Sequence, residues 1–194
     1  MAHHRYQTEA IVLDSAPRGE SNRSFFLLTK DFGFIGASAQ GVRALSSKLK
    51  GGLSDFSHTR VDLIFGEDTW RIVDAEEEGE PFSRAPILAQ QSFARFSSLL
   101  RRLLHGERTE RRLFSDVLAF RAHMRARPYS ERELHDLEII MAVKTLFELG
   151  YGGGEKEVAH IYAEDLSDSL LAFAGAHRRA LVLFVRGRVR ESHL

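Results

Sequence analysis

The period of the hydrophobic pattern changes part-way along the chain. Over residues 8–75, β-branched and aromatic residues come in short runs separated by glycine-bearing breaks, a pattern of strands and turns. Residues 8–13, 24–29, 34–40, 58–65 and 69–73 read as five strands. The clearest is 58–65, where Val61, Leu63 and Phe65 alternate onto one face. Pro17 and Gly19 place a turn at 16–22, Asp31-Phe32-Gly33 forms another, and Gly66-Glu67-Asp68 a third. Five short strands within some 70 residues suit a small barrel.

Between 74 and 86 the composition turns acidic, with Asp74, Glu76, Glu77, Glu78 and Glu80 ahead of Pro81 and Pro86, which reads as a solvated linker or the exit from a barrel. Beyond Pro86 the period becomes helical, and Phe93, Phe96, Leu99, Leu100, Leu103 and Leu104 recur at spacings of three and four. A second helix is expected over 110–127, ended by Pro128. Ser130 and Glu133 form a capping box for a third helix that runs to Leu149 and stops at Gly150. Helices over 155–162 and 167–193 follow, with Gly175 a point where the last could break.

The chain of 194 residues is 43% hydrophobic and 28% charged, in the range of folded proteins with one domain or two small ones. It has no cysteine, which excludes disulfides and thiolate zinc sites and makes a reducing cytoplasm the expected setting. No run approaches the roughly 18 apolar residues of a membrane span, and the first residues, MAHHRYQ, lack the apolar core of a signal peptide.

The formal net charge is zero, but the charges are segregated. Residues 81–127 hold ten arginines, no lysine and three acids, and acidic stretches flank them. Such segregation creates a local positive field in a neutral chain. The loop 41–52 carries Arg43, Lys48 and Lys50 with no acid, hydroxyls at Ser46 and Ser47, and glycines at both ends. It reads either as a solvated hairpin loop or as a phosphate grip. Arg101, Arg102, Arg108, Arg111, Arg112, Arg121, Arg125 and Arg127 lie on or beside two helices. They are suited to bidentate phosphate contact, or equally to pairing with the acids of the helix that follows. Of the aromatic residues at 25, 26, 32, 34, 56, 65 and 70, most are expected to fill the barrel rather than stack on bases.

Catalytic patterns are lacking. GASAQG has the wrong spacing for a nucleophile elbow, and GGGEK lacks the spacing and hydroxyl of a phosphate loop. The nine histidines are scattered without metal-ligand spacing. No enzyme, cofactor or metal is expected.

The stretch TEAIVLDSAPRGESNRSFFLLTKDFGFIGASAQGVRALSSKL, with FSHTRVDLIFGEDTWRIVDAE after it, resembles the amino-terminal domain of the RecO family of bacterial recombination mediators. AVKTLFELGY is similar to the family's helix that precedes a zinc-binding insertion. Here the insertion's cysteines are missing and GGGEKE stands in their place, so no zinc site is expected. Apolar faces alone should then hold the helices together. The resemblance implies an α+β chain: a five-stranded oligonucleotide-binding (OB-fold) barrel at 1–80 and an all-α helical domain at 81–194. It implies binding of single-stranded DNA, annealing of complementary strands, and loading of recombinase with RecR onto strands coated by the single-strand-binding protein SSB, whose acidic C-terminal tail is a further partner. The expected DNA-binding residues are Arg43, Lys48 and Lys50, then Arg23, Arg101 and Arg102. A protein-interaction adaptor that docks acidic peptides is the alternative. The expected location is the bacterial cytoplasm, in association with the nucleoid.

Overall fold

The structure is a computed structural model that describes residues 4–18, 22–40, 52–66, 68–106, 108–109 and 111–191. It divides into two compact units, residues 1–84 with 104–111, and residues 85–103 with 112–194.

The first unit is an OB-fold barrel. Its strands are β1 (Arg5–Arg18), β2 (Asn22–Thr29), β3 (Gly33–Ala39), β4 (His58–Phe65) and β5 (Trp70–Glu77). They close in the order β1-β2-β3-β5-β4, antiparallel except where β3 runs parallel to β5. β1 makes closure possible because it serves two neighbours. Residues 5–11 pair with β4 and residues 10–18 with β2, with an irregularity between Val12 and Asp14. Bulges of this kind bend a strand so that a small sheet can curl onto itself. Inward-facing Ala10, Val12, Phe25, Leu27, Ile35, Leu63 and Ile72 form the core.

Three strands exceed the lengths expected from sequence, β2 by starting at Asn22 rather than at 24. β1 continues through Pro17, which is paired with Arg23, instead of turning at 16. Beyond Val12 the strand it pairs with is β2 alone, and proline is tolerated where one side of a strand has no ladder to feed. β5 continues to Glu77, so Asp74, Glu76 and Glu77 belong to the sheet, opposite residues 59–62 of β4, rather than to a linker.

Residues 104–111 belong to the barrel unit although they follow a helix in sequence. Thr109 Oγ1 donates to the carbonyl of Asp31 at 3.0 Å, and Arg111 pairs with the Asp31 carboxylate at 3.1 Å. Asp31 and Gly33 form the β2–β3 turn. Gly33 has φ +68°, and a Cβ there would collide with the Arg108 carbonyl. Gly33→Ala should therefore cost about 1–3 kcal/mol of stability, combining left-handed strain with displacement of this segment. A urea midpoint unchanged from the parent protein would contradict that packing.

The second unit is helical: α1 (Ile87–Leu103), α2 (Arg111–Ala126), α3 (Glu131–Leu146), α4 (Lys156–Ala163) and α5 (Asp168–Glu191). α3 packs against α5 and α1 and is buried along most of its length. A helix that is enclosed on several sides has little amphipathic character to show in sequence. The expected capping box is present: Ser130 Oγ accepts from the Glu133 amide, and the Glu133 carboxylate accepts from the Ser130 amide at 2.8 Å. Gly150, at φ +86°, departs from helical geometry within the π-helical turn Phe147–Tyr151, which is capped by Gly152. α5 runs unbroken through Gly175. A Cβ at 175 would lie 3.2 Å from Asp136 Oδ2, and Arg178 clamps that carboxylate. Glycine here allows close approach of two helices rather than a break.

Apolar faces do not hold this unit alone, contrary to the sequence expectation. Lys144 is 1% exposed. Its ammonium lies 3.4 Å from Asp116 Oδ1 and donates to the Glu164 carbonyl at 2.8 Å. Beside it, the Tyr162 hydroxyl donates to Glu148 at 2.7 Å, Arg112 pairs with Glu148 at 3.5 Å, and Phe147 stacks on Tyr162. The network joins α2 and α3 to α4 and the residue that follows it. Burial pushes the Asp116 carboxyl above its usual range, while the Lys144 charge pulls it back. Among the described residues no helix is long and apolar enough to cross a membrane.

Candidate nucleic-acid interface

The loop bearing Arg43, Lys48 and Lys50 lies outside the described residues. What the barrel does present is a surface groove of about 640 Å³. Strand register builds it. The parallel pairing of β3 with β5 sets Ser38 beside Arg71, and the antiparallel pairing of β4 with β5 sets Ile64 on the other side of Arg71. Because side chains alternate across a strand, these three project outward while Ala37, Leu63, Trp70 and Ile72 face the core. Gln40 continues the row along β3. Gly36, on the same exposed face, keeps the strand low, with nothing within 4 Å of a Cβ placed there.

Two connections close the ends of the groove. Arg18 and Asn22, the last register pair of β1 and β2, line one end. The β4–β5 turn supplies Gly66, Asp68 and Thr69 at the other, and the Gly66 amide donates to the Thr69 carbonyl at 2.9 Å. The lining therefore combines two exposed guanidinium groups, two carboxamides and two hydroxyls with one apolar side chain and the carboxylate of Asp68. Such a set can neutralise and hydrogen-bond an anionic backbone without reading a sequence. The groove is also framed by residues beside the β1–β2 and β4–β5 connections, the two loops that OB-folds use for oligonucleotides. Neither Arg18 nor Arg71 was singled out from the sequence. Arg18 stood in an expected turn, and Arg71 lay within the expected strand 69–73 with nothing local to mark it.

Other cations among the described residues of the barrel strands and the β2–β3 turn are tied down. Lys30 pairs with Glu9 at 2.6 Å, Arg5 with Asp62, and Arg60 with Glu78. Arg18 and Arg71 form no ion pair among the described residues. Of the residues proposed from sequence, Arg23 lies next to Asn22 but on the opposite face of the strand. Its guanidinium donates to Ser15 Oγ at 2.6 Å, and Ser15 donates to Asp55 at 2.7 Å, so Arg23 braces the end of the barrel.

Arg101 and Arg102 stand in the last turn of α1, half-buried and exposed respectively. Much of the remaining arginine set is matched by acids. Arg127 pairs with Glu133 at 3.1 Å and Asp168 at 3.2 Å, Arg112 pairs with Glu148, and Arg121 is buried. Arg95, which the sequence reading passed over, pairs with Glu138 at 2.6 Å. For these residues the arginine-rich segment is a helix-to-helix pairing surface, one of the two readings the sequence left open.

Residues 1–69 match the family model for the N terminal domain of recombination protein O. That stretch contains every groove residue named above except Arg71. A protein described as DNA repair protein RecO from Bifidobacterium animalis subsp. lactis is 41% identical over 78 residues, 40% of this chain and 31% of that protein. Proteins of the same description from Heliobacterium modesticaldum and a Nocardioides species are 35% identical over 71 residues and 38% over 79. Those matches cover 37% and 41% of this chain, and 26% and 32% of the relatives. The matching part thus spans about a third or less of the length of these curated relatives.

Proposed function

From the match of residues 1–69 to the RecO amino-terminal domain, we propose a DNA-repair mediator that works by binding rather than by catalysis. The barrel, in a nucleic-acid-binding domain over 1–80, holds single-stranded DNA along the groove between Arg18 and Arg71. Arg43, Lys48 and Lys50 extend the grip onto further phosphates. The observation that carries this reading is the groove itself: exposed arginines, hydroxyls and carboxamides between the first and last strand connections of an OB-fold, all but Arg71 inside the stretch that matches the family model. Neutralising phosphates on two strands lowers their repulsion and releases counterions, which gives annealing a physical basis.

In this reading the helical domain over 81–194 supplies protein contacts, with Arg101 and Arg102 as its DNA-side candidates. The partners are RecR, for loading recombinase, and the acidic tail of the single-strand-binding protein. The setting is the bacterial cytoplasm. An adaptor that docks acidic peptides on the arginine helices is less well supported, because Arg95, Arg112 and Arg127 already have carboxylate partners. Mixing complementary oligonucleotides with the protein should speed duplex formation, and by more at low than at moderate salt. A rate equal to that of the protein-free mixture would contradict the proposal.

A further inference from the structure

Along one face of α5, Phe173, Ala176, Ala180, Leu183 and Gly187 recur at alternating spacings of three and four residues, the seam of a coiled coil. The helix buries its opposite side, through Leu170, Leu171, Ala174 and Leu181. Leu183 stands within the seam at 62% exposed, and Ala176, Ala180 and Gly187 are exposed with it. Two hollows of about 390 and 350 Å³ meet at Ala180 and Leu183. Nothing lies within 4 Å of a Cβ placed at Gly187. Arg190, next in the same register, closes the seam.

The two edges of the seam differ in charge. Arg179 and Arg186 flank it on one side, both exposed and in no ion pair among the described residues. On the other side, next to α4, Glu155, Glu157 and Glu191 gather around one guanidinium. It belongs to Arg188, which pairs with Glu191 at 2.7 Å and with Glu155 at 4.0 Å. Three carboxylates around one cation leave that edge net negative.

We infer that this face of α5 is a homodimer interface, on which α5 of a second copy packs in parallel about a two-fold axis. The charges select the orientation. In a parallel pair the basic edge of each helix lies against the acidic edge of the other, so Arg186 meets Glu191 of the partner subunit and symmetry repeats the contact. In an antiparallel pair like edges meet, and Arg179 would face Arg186. A second copy is the occupant this pattern fits, because it brings an apolar seam with the two signs already on the matching sides. The seam is short and mostly of small side chains, so association depends on concentration. The interface does not depend on what the barrel binds. Where the barrel holds a strand, as proposed above, one dimer holds two.

The test is sedimentation velocity of the full chain through the micromolar range, with circular dichroism to confirm that each variant is folded. The parent protein should move from monomer towards dimer as concentration rises, and Leu183→Asp should stay monomeric. Arg186→Glu and Glu191→Arg each set like charges opposite one another at two symmetric contacts. Each should weaken association roughly tenfold, and the two changes together should restore it. Orientation is read by cross-linking, which the lack of native cysteine keeps free of background. Gly187→Cys should give a disulfide-linked dimer on mild oxidation, because equivalent seam positions meet across a parallel two-fold axis. Ala159→Cys, exposed on α4, should not. A parent protein that remains monomeric, with or without binding a labelled acidic peptide at this face, would overturn the interface. So would a dimer that survives Leu183→Asp. Single charge reversals without effect, or a double reversal that fails to restore association, would overturn the parallel arrangement.

Discussion

Lys144→Ala should lower the unfolding free energy of the helical unit by about 3–5 kcal/mol, the cost of stranding a buried partner of an ion pair. Lys144 is almost wholly enclosed, and its ammonium meets Asp116 Oδ1 and the Glu164 carbonyl. Removing it leaves Asp116, whose second oxygen is buried without a hydrogen bond. Replacing both partners at once, Lys144→Met with Asp116→Leu, should recover most of the loss, because the desolvation cost disappears along with the attraction. The single variant also has a pH signature. Burial already raises the Asp116 carboxyl above its ordinary 3.8, and loss of the cation raises it further. The folded state then holds a proton that the unfolded state has released, so stability falls as pH rises above 3.8 towards the folded value. The defect should be smallest in acid. Calorimetry across that range would check both points, and a defect that does not change with pH would show that the carboxylate is not the stranded group.

The second large effect concerns the groove. Arg18→Glu combined with Arg71→Glu should weaken single-stranded DNA binding by about 100-fold, the loss of two charge-assisted contacts at roughly 1.5 kcal/mol each. The loss should be similar for all sequences, because phosphate contacts position a strand without reading it. Lys30→Glu is the control. It changes charge on the same barrel, but at a cation already held by Glu9 at 2.6 Å, and binding should change little. Fluorescence anisotropy on dT and mixed-sequence oligonucleotides would separate the two outcomes. If Lys30→Glu lowers affinity as much as the groove pair does, net charge is responsible and the groove is not the site.

What the sequence reveals follows from how local each determinant is. The bounds of β4 were readable because Val61 and Leu63 alternate with Arg60 and Asp62, although Phe65, expected with them on the half-buried face, is left 45% exposed at the strand end. The capping box at Ser130 was readable because it lies within four residues. The extent of β1 was not, since residues 14–18 (Asp-Ser-Ala-Pro-Arg) carry no apolar alternation and owe their extended shape to pairing with β2. The attachment of residues 104–111 to the barrel depends on Asp31 and Gly33, far away in sequence, and no periodicity encodes it. A lysine in a helix is ordinarily a surface residue, yet Lys144 is buried because a carboxylate and a carbonyl from other segments converge on it. The groove is the plainest case. Ser38 and Arg71 become neighbours only through the parallel β3–β5 register, so the sequence directed attention to the basic loop nearby and not to the face of the sheet.

The central claim is that this barrel grips the phosphate backbone of an unpaired strand. The most direct measurement is the dependence of single-stranded DNA affinity on salt. With four to six phosphates engaged by Arg18, Arg71, Arg43, Lys48 and Lys50, the log–log slope should be about −3 to −4, and the Arg18→Glu, Arg71→Glu variant should bring it closer to zero by about 1.4. A flat response in the parent protein, or a slope that the variant leaves unchanged, would contradict it.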